Sequence, residues 1–225
     1  MNVMKIGSYE DIRDHLRVRL MDMKANKDKL ENAVYEPVGC GYALVAYMAL
    51  PDEVTKDGIF NVPKDLAEKL GFNPRRIMLD ARLGSMASDF PKLTPMQEVL
   101  RWEETHNLLT GGEMPEGELM LVLTTEEGYL GASALFYTDM QKRIGEIVGG
   151  DYYVIPSSVH EVLIMPELGQ MNPNDMAAMV KEINELQVAP DERLGNRVMH
   201  YRADLDKLQV VADMDRVKEK EMVRA

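Results

Sequence analysis

The sequence predicts an α+β protein. The expected architecture is a mainly antiparallel sheet built from strand-strand-helix units, with helices packed on one face and an N-terminal helical/hairpin sub-domain. Three observations carry this. Short apolar runs are bounded by Gly, Pro, Asn and Asp in the manner of strands. Between them lie segments whose apolar residues recur at i, i+3, i+4 and i+7, the spacing of one helix face. In the second half the order strand, strand, helix occurs twice and is followed by two more strands, which suits antiparallel pairs with helices against a sheet.

The elements follow in order. Ser8 to about Glu31 reads as a helix, capped by Ser8, with Glu10 and Asp11 at its positive end and Ile12, Leu16, Leu20, Met23 and Leu30 as its apolar positions. Tyr42 to Leu50 is a buried strand. Pro51 and a Lys56-Asp57-Gly58 turn lead to a second strand, Ile59 to Val62, making a hairpin with a loose loop. Pro63 opens a helix with Leu66, Ala67 and Leu70 on its apolar face, ended by Gly71. Further helices are expected from Pro74 to Ala87 and from Thr94-Pro95 through Trp102. Leu119 to Thr124 is a strand, with a return strand over Tyr129 to Phe136. A helix from Thr138 to Val148 stops at Gly149-Gly150. Asp151 to Ile155 and Val162 to Met165 pair as strands. Asn172-Pro173 starts a helix carrying Met176, Met179, Val180, Ile183 and Leu186, and Val198 to Arg202 with Leu208 to Val211 form a last hairpin. The stretch NLLTGGEMPEG is rich in Gly and Pro. It divides the chain into an N-terminal α+β sub-domain (1–106), a linker (107–117), a C-terminal α+β sub-domain (118–212) and a tail or short helix (213–225).

Composition narrows the function classes. A chain of 225 residues, 45% hydrophobic, buries a core without staples. Its single cysteine, Cys40, excludes an intramolecular disulfide and, within the monomer, a cysteine-based zinc site, and fits a reducing compartment. No run approaches the roughly 18 apolar residues of a membrane span. A cytoplasmic protein without membrane contact is expected. The net charge is −12, and ten of those negative charges lie in residues 113–225. Such a surface repels phosphate backbones, so no direct nucleic-acid binding is expected. The basic residues of the first segment are interleaved with acids and form no stripe.

The segment Pro156-Ser-Ser-Val-His-Glu161 is the main chemical candidate. Ser157 or Ser158 as nucleophile, His160 as base and Glu161 or another acid as orienter would make a hydrolase centre. Against it, adjacent residues of an extended chain point to opposite faces, and no Gly-x-Ser-x-Gly elbow is present. The alternative is that the serines bond the turn backbone and His160 with Glu161 opens the next strand. A third reading makes the turn a surface for a small polar ligand or peptide. His160-Glu161 also begins like the zinc signature His-Glu-x-x-His, but Ile164 stands where the second histidine belongs. His15, His106, His160 and His200 are far apart in sequence, and His200 is expected to pack across a strand pair. Asp204 and Asp206 lack the rest of a calcium loop. Gly39-Cys40-Gly41 precedes a strand, the reverse of a dinucleotide cradle. No cofactor and no metal are expected.

Leu121-Val-Leu-Thr-Thr125, Gly131-Ala-Ser-Ala-Leu135, the run from Gly150 to Pro166, Met179-Val-Lys-Glu-Ile-Asn184 and Val188-Ala-Pro-Asp-Glu-Arg-Leu194 stand in the order of a bacterial family of unknown function, number 5688. The chain resembles that family closely over about 119–211 and more loosely over 26–100. It departs at Thr125, where Asn is frequent, and is shorter than many members. The resemblance implies no activity, cofactor or catalytic residue. Together with the residue reading it marks Ser157, Ser158, His160, Glu161 and Asn184 as a ligand or partner surface.

The leading functional expectation is a non-enzymatic, protein-binding or regulatory domain with an acidic surface, its partner a protein. The amphipathic segment 213–225 is one candidate contact. A hydrolase or small-ligand-binding protein using the Pro-Ser-Ser-Val-His-Glu turn is the alternative, and an acidic nucleic-acid-mimic inhibitor is a further one.

Overall fold

The structure, a computed structural model, describes residues 8–49, 59–101, 105–169 and 171–215. It is an α+β fold with antiparallel sheets and divides into two compact units, Met1–Phe90 and Pro91–Ala225.

In the first unit the expected long helix is replaced by a short helix α1 (Glu10–Arg13), a strand β1 (Leu16–Asp22) and a second short helix α2 (Lys27–Glu31). The physical reason is the period. Leu16-Arg-Val-Arg-Leu20 alternates apolar with charged residues, and Leu16, Val18 and Leu20 are buried on one side of a strand. Strand β2 (Tyr35–Gly39) turns through Cys40 and Gly41 into β3 (Tyr42–Ala49). Cys40 (φ 52°) and Gly41 (φ 82°) both have positive φ, the requirement of a two-residue hairpin turn that matches strand twist. Residues 39–41 are thus a turn device. β3 is the centre of the sheet. It pairs with β1 on one side, and on the other with β2 and then β4 (Ile59–Asn61). Its residues Tyr42 to Met48 are all buried, as a strand covered on both faces requires. The turn expected at Lys56-Asp57-Gly58 lies outside the described residues.

Helix α3 (Lys64–Lys69) follows Pro63, and α4 (Pro74–Ser88) is capped by Asn73, whose side chain accepts from the Arg75 amide. α4 lies along β1 and closes its outer edge. Ser85 Oγ accepts the Val18 amide at 3.0 Å, and Gly84 sits so close that an added Cβ would run into the Leu16 carbonyl oxygen. An uncovered edge strand is a template for aggregation, and a helix is one of the ways proteins blunt it.

The second unit is a six-stranded antiparallel sheet. In the order β10-β9-β7-β8-β6-β5 it comprises β10 (Lys207–Asp213), β9 (Arg197–Arg202), β7 (Tyr152–Pro156), β8 (Val162–Pro166), β6 (Leu121–Thr125) and β5 (Pro91–Pro95). Residues 91–95 form a strand where the sequence suggested a helix start, and helix α5 (Met96–Arg101) follows directly. β5 pairs with β6 from Pro91↔Thr125 to Pro95↔Leu121, which draws residues 91–106 into this unit. The segment 107–117 is fastened to the same strand, because the Asn107 side chain accepts the Leu93 amide and donates to the Pro91 carbonyl.

The expected return strand over Tyr129 to Phe136 is a 3₁₀ helix, Gly131–Phe136, in which every residue is buried. Small residues make that burial possible. A Cβ on Gly131 would fall 2.5 Å from the Thr125 nitrogen, so the segment packs directly on the β6 backbone. Helix α6 (Met140–Val148) ends at Gly149 with φ 83°, the left-handed exit expected of Gly149-Gly150. Helix α7 (Pro173–Gln187) starts at Asn172-Pro173, with Asn172 capping the Asn174 amide.

The two longer helices of this unit reach opposite faces of the sheet, so the expected single helical layer is divided. α6 meets the face of Tyr152, Val154 and Tyr201, where the Tyr152 hydroxyl donates to the Gln141 carbonyl. α7 brings Met176 and Ala177 against Met165, Val198 and Ala212 on the other. Residues 216–225, and with them most of the expected C-terminal amphipathic segment, lie outside the described residues.

Candidate functional site

Pro156 ends β7 and Val162 opens β8, so the Ser-Ser-Val-His-Glu segment is the connection of an antiparallel pair. Its polar groups close on one another. The Ser158 amide donates to the Glu161 carbonyl at 3.2 Å, and Ser158 Oγ accepts the His160 amide at 3.1 Å. Ser157 Oγ donates to Glu161 Oε1 at 3.3 Å. Both hydroxyls therefore support the turn, the ordinary work of serine in such places.

His160 faces other segments. Its Nδ1 accepts the Leu130 amide at 3.2 Å, and its Nε2 lies 3.3 Å from Glu192 Oε1. A backbone N–H can only donate, so Nδ1 carries a lone pair and the ring proton sits on Nε2, directed at the Glu192 carboxylate. The Tyr129 ring lies 5.2 Å from the imidazole, the His160 carbonyl accepts the Thr124 hydroxyl at 2.8 Å, and the neighbouring Val159 amide donates to the Glu192 carbonyl. Leu130 itself is held at φ 51°, a left-handed conformation that costs a residue with a Cβ. The imidazole thus ties the 129–132 turn to the 189–192 turn, and the His160 carbonyl holds β6. Thr125 closes the first of these, its hydroxyl donating to the Tyr129 carbonyl and accepting the Tyr129 amide.

This arrangement does not assemble a serine hydrolase centre. Both ring nitrogens of His160 are engaged, neither with a hydroxyl, and Glu161 bonds Ser157 instead of orienting the ring. Asn184 joins a separate set of partners. On α7 and only 2% exposed, it donates from Nδ2 to the Gly195 carbonyl and to Asn196 Oδ1, and Asn196 in turn donates to Asp215. The five residues singled out in the sequence thus divide between a turn lock and a helix anchor.

A different cluster forms from residues that the sequence keeps far apart. Strand register places Tyr153 opposite both Met165 and His200, and Asp151 and Glu167 continue the same face one step beyond β7 and β8. Single ligand atoms of Asp151, Glu167 and His200 all lie within 4.8 Å of one another. His200 Nε2 is 3.0 Å from Glu167 Oε2, and the Tyr153 hydroxyl donates to Glu167 Oε1 at 3.2 Å. The Tyr153 ring packs beside His200 at 4.7 Å, tilted by 33°. Burial, and then the Glu167 carboxylate, raise the Tyr153 phenol above its ordinary value, so it remains a donor at neutral pH. Asp151 is aimed by the Ala203 amide, which donates to its Oδ1 at 2.8 Å. A small apolar hollow adjoins the cluster, lined by Leu119, Tyr153, Met165, Pro166, Leu168 and Met171. The only advance signal was the alternation of β7 and β9, and it becomes informative once their register is known.

Among proteins of known sequence, a family of unknown function, DUF5688, matches residues 1–203. The chain belongs to this family. No curated protein and no solved structure matches it. The family match takes in the whole first unit and the second as far as the end of β9; it reaches further towards the N-terminus than the resemblance over 26–100 and 119–211, and stops before residue 211.

In this DUF5688 member the most exposed apolar side chains of the second unit include a row on α7. Met179 is 59% exposed, Ile183 46% and Leu186 76%, spaced i, i+4 and i+7. They run along the shoulder of the helix beside Met176, Ala177 and Val180, which are buried in the core. Asp175, Glu182 and Glu185 flank the row and are exposed. Among the described residues no helix is long and apolar enough to cross a membrane.

Proposed function

We propose that the protein is a non-enzymatic protein-binding module whose contact surface is the exposed apolar flank of α7. The observation that carries this is the row Met179, Ile183 and Leu186, an apolar stripe left open to solvent beside the stripe of Met176, Ala177 and Val180 that the core buries. Water-exposed apolar residues scattered singly need no explanation, but three in line on one helix make the anchor pattern by which a helix engages a groove or a second helix. Acidic neighbours at Asp175, Glu182 and Glu185 favour a partner whose apolar surface is rimmed by Lys or Arg. The engaged state of both nitrogens of His160 weighs against the hydrolase alternative.

The test is site-specific photo-crosslinking in cells of the native host, with the reactive group at position 183 and, as control, at the exposed position 127. A discrete adduct with one protein from position 183, lost in Ile183→Asp, is expected. Equal adducts from both positions, or none from 183, would sink the reading. A ladder of self-adducts would replace it with self-association.

A further inference from the structure

We propose that Asp151, Glu167 and His200 form a binding site for a divalent transition-metal ion of the Zn²⁺ type. One imidazole and two carboxylates are a ligand set suited to such an ion, and the three ligand atoms already converge within 4.8 Å. The 3.0 Å between His200 Nε2 and Glu167 Oε2 is close to the spacing of about 3.4 Å that two ligands take around Zn²⁺ at bond lengths of about 2.1 Å. Small rotamer changes of exposed Glu167 and half-buried Asp151 would complete the set.

The surroundings favour an ion at this point. Two groups steer the three ligands. Tyr153 donates to Glu167 and packs on the His200 ring, and the Ala203 amide donates to Asp151. Such outer partners fix ligand orientation in metal sites. Two carboxylates beside an imidazole repel each other unless a cation lies between them. The cation two residues along β9, Arg202, is taken up by Asp204 through two hydrogen bonds of 3.1 and 2.8 Å. Three protein ligands leave at least one coordination position for water or a small anionic ligand, the arrangement of open rather than closed sites. The bland account, a His200–Glu167 hydrogen bond on a sheet face, explains one pair of contacts. It leaves the approach of Asp151 to the other two ligands, beyond its bond to the Ala203 amide, without a role.

The test uses the full chain, stripped of metal, in calorimetric titrations with Zn²⁺ and with Mg²⁺ as the hard-ion control, and Co²⁺ as a visible-absorption probe. The expected result is one Zn²⁺ per chain, no comparable Mg²⁺ binding, and Co²⁺ bands that shift when nitrogen coordinates. His200→Ala and Glu167→Gln each weaken Zn²⁺ at least about tenfold, while the surface control Glu127→Gln leaves it unchanged. Tyr153→Phe, a positioning change, weakens it roughly 10–100-fold without moving the Co²⁺ bands. Glu167 is exposed, so its variant tests the site without endangering the fold. Absence of saturable Zn²⁺ binding overturns the proposal. So does equal binding by the wild type and by both ligand variants, which would assign the ion to scattered surface carboxylates. Neither outcome bears on the α7 contact surface.

Discussion

The imidazole of His160 and the carboxylate of Glu192, thirty-two residues apart in the chain, meet at 3.3 Å, while the other ring nitrogen holds the amide of Leu130. That pairing makes His160 a lock between three loops, and its loss is felt as stability. His160→Ala leaves the Leu130 amide without its acceptor in a left-handed turn that is unfavourable by itself. A cost of about 1–3 kcal/mol is expected in urea unfolding. His160→Asn, whose side-chain oxygen is an acceptor near the position of Nδ1, should recover part of it. Equal losses in the two variants would mean that ring packing on Tyr129 dominates.

Helix α4 depends on two small residues against β1. Helix propensity alone favours Gly84→Ala by up to about 1 kcal/mol. The close approach to the Leu16 carbonyl reverses the sign, because backbone cannot yield as a flexible side chain can. Destabilisation of about 1–3 kcal/mol is expected. Ser85→Ala strands the Val18 amide in a buried position and should cost a similar about 1–3 kcal/mol. Chemical denaturation of both variants checks this, and a stabilised Gly84→Ala would refute the edge-closing role of α4.

Tyr201 predicts a limit on the alkaline side. Burial, and then the hydrogen bond to Asp206 at 2.7 Å, push its phenol from 10.0 up to about 12. The folded value exceeds the unfolded one, so the contribution is fully present below pH 10 and is lost as pH rises towards 12. Burial raises the phenol of Tyr152, stacked on Tyr201 at 4.8 Å, in the same direction. Stability measured by denaturant titration should fall across this window, less steeply in Tyr201→Phe. An identical slope in the variant would remove Tyr201 from the account.

Asn184 should tolerate no negative charge. Its Nδ2 faces two oxygens, the Gly195 carbonyl and Asn196 Oδ1. In Asn184→Asp the near-isosteric carboxylate opposes both, so its ionisation is disfavoured in the folded state and its pKa rises. By linkage the variant keeps stability when protonated and loses it as pH rises through neutrality. Thermal unfolding at pH 4.5 and pH 7.5, with the wild type as reference, should show a larger deficit at the higher pH.

Local chemistry made much of the architecture legible. Asn73 and Asn172, each before a proline, mark helix starts that appear as drawn. The apolar run 42–49, the pair 152–156 and 162–166, and the hairpin near residues 198–211 are strands because their β-rich runs end at turn residues. Where two periods competed, the reading failed. Leu16 and Leu20 fit a helix face as well as a strand face. Only the pairing of Leu16 with Met48 and of Leu20 with Leu44 decides between them. Gly131 to Phe136 is apolar enough for a strand, yet its small residues let it coil onto the β6 backbone.

The sequence by itself determined the fold class, the membership of DUF5688 and the serine-rich turn between β7 and β8, because these rest on residues near one another in the chain. Tertiary structure alone decided what the side chains do. Whether His160 has a free nitrogen depends on Leu130 and Glu192, and whether His200 has companions depends on Asp151 and Glu167. Side-chain chemistry is set by neighbours in space, and those neighbours come from strand register and loop closure across tens of residues, which no local pattern encodes.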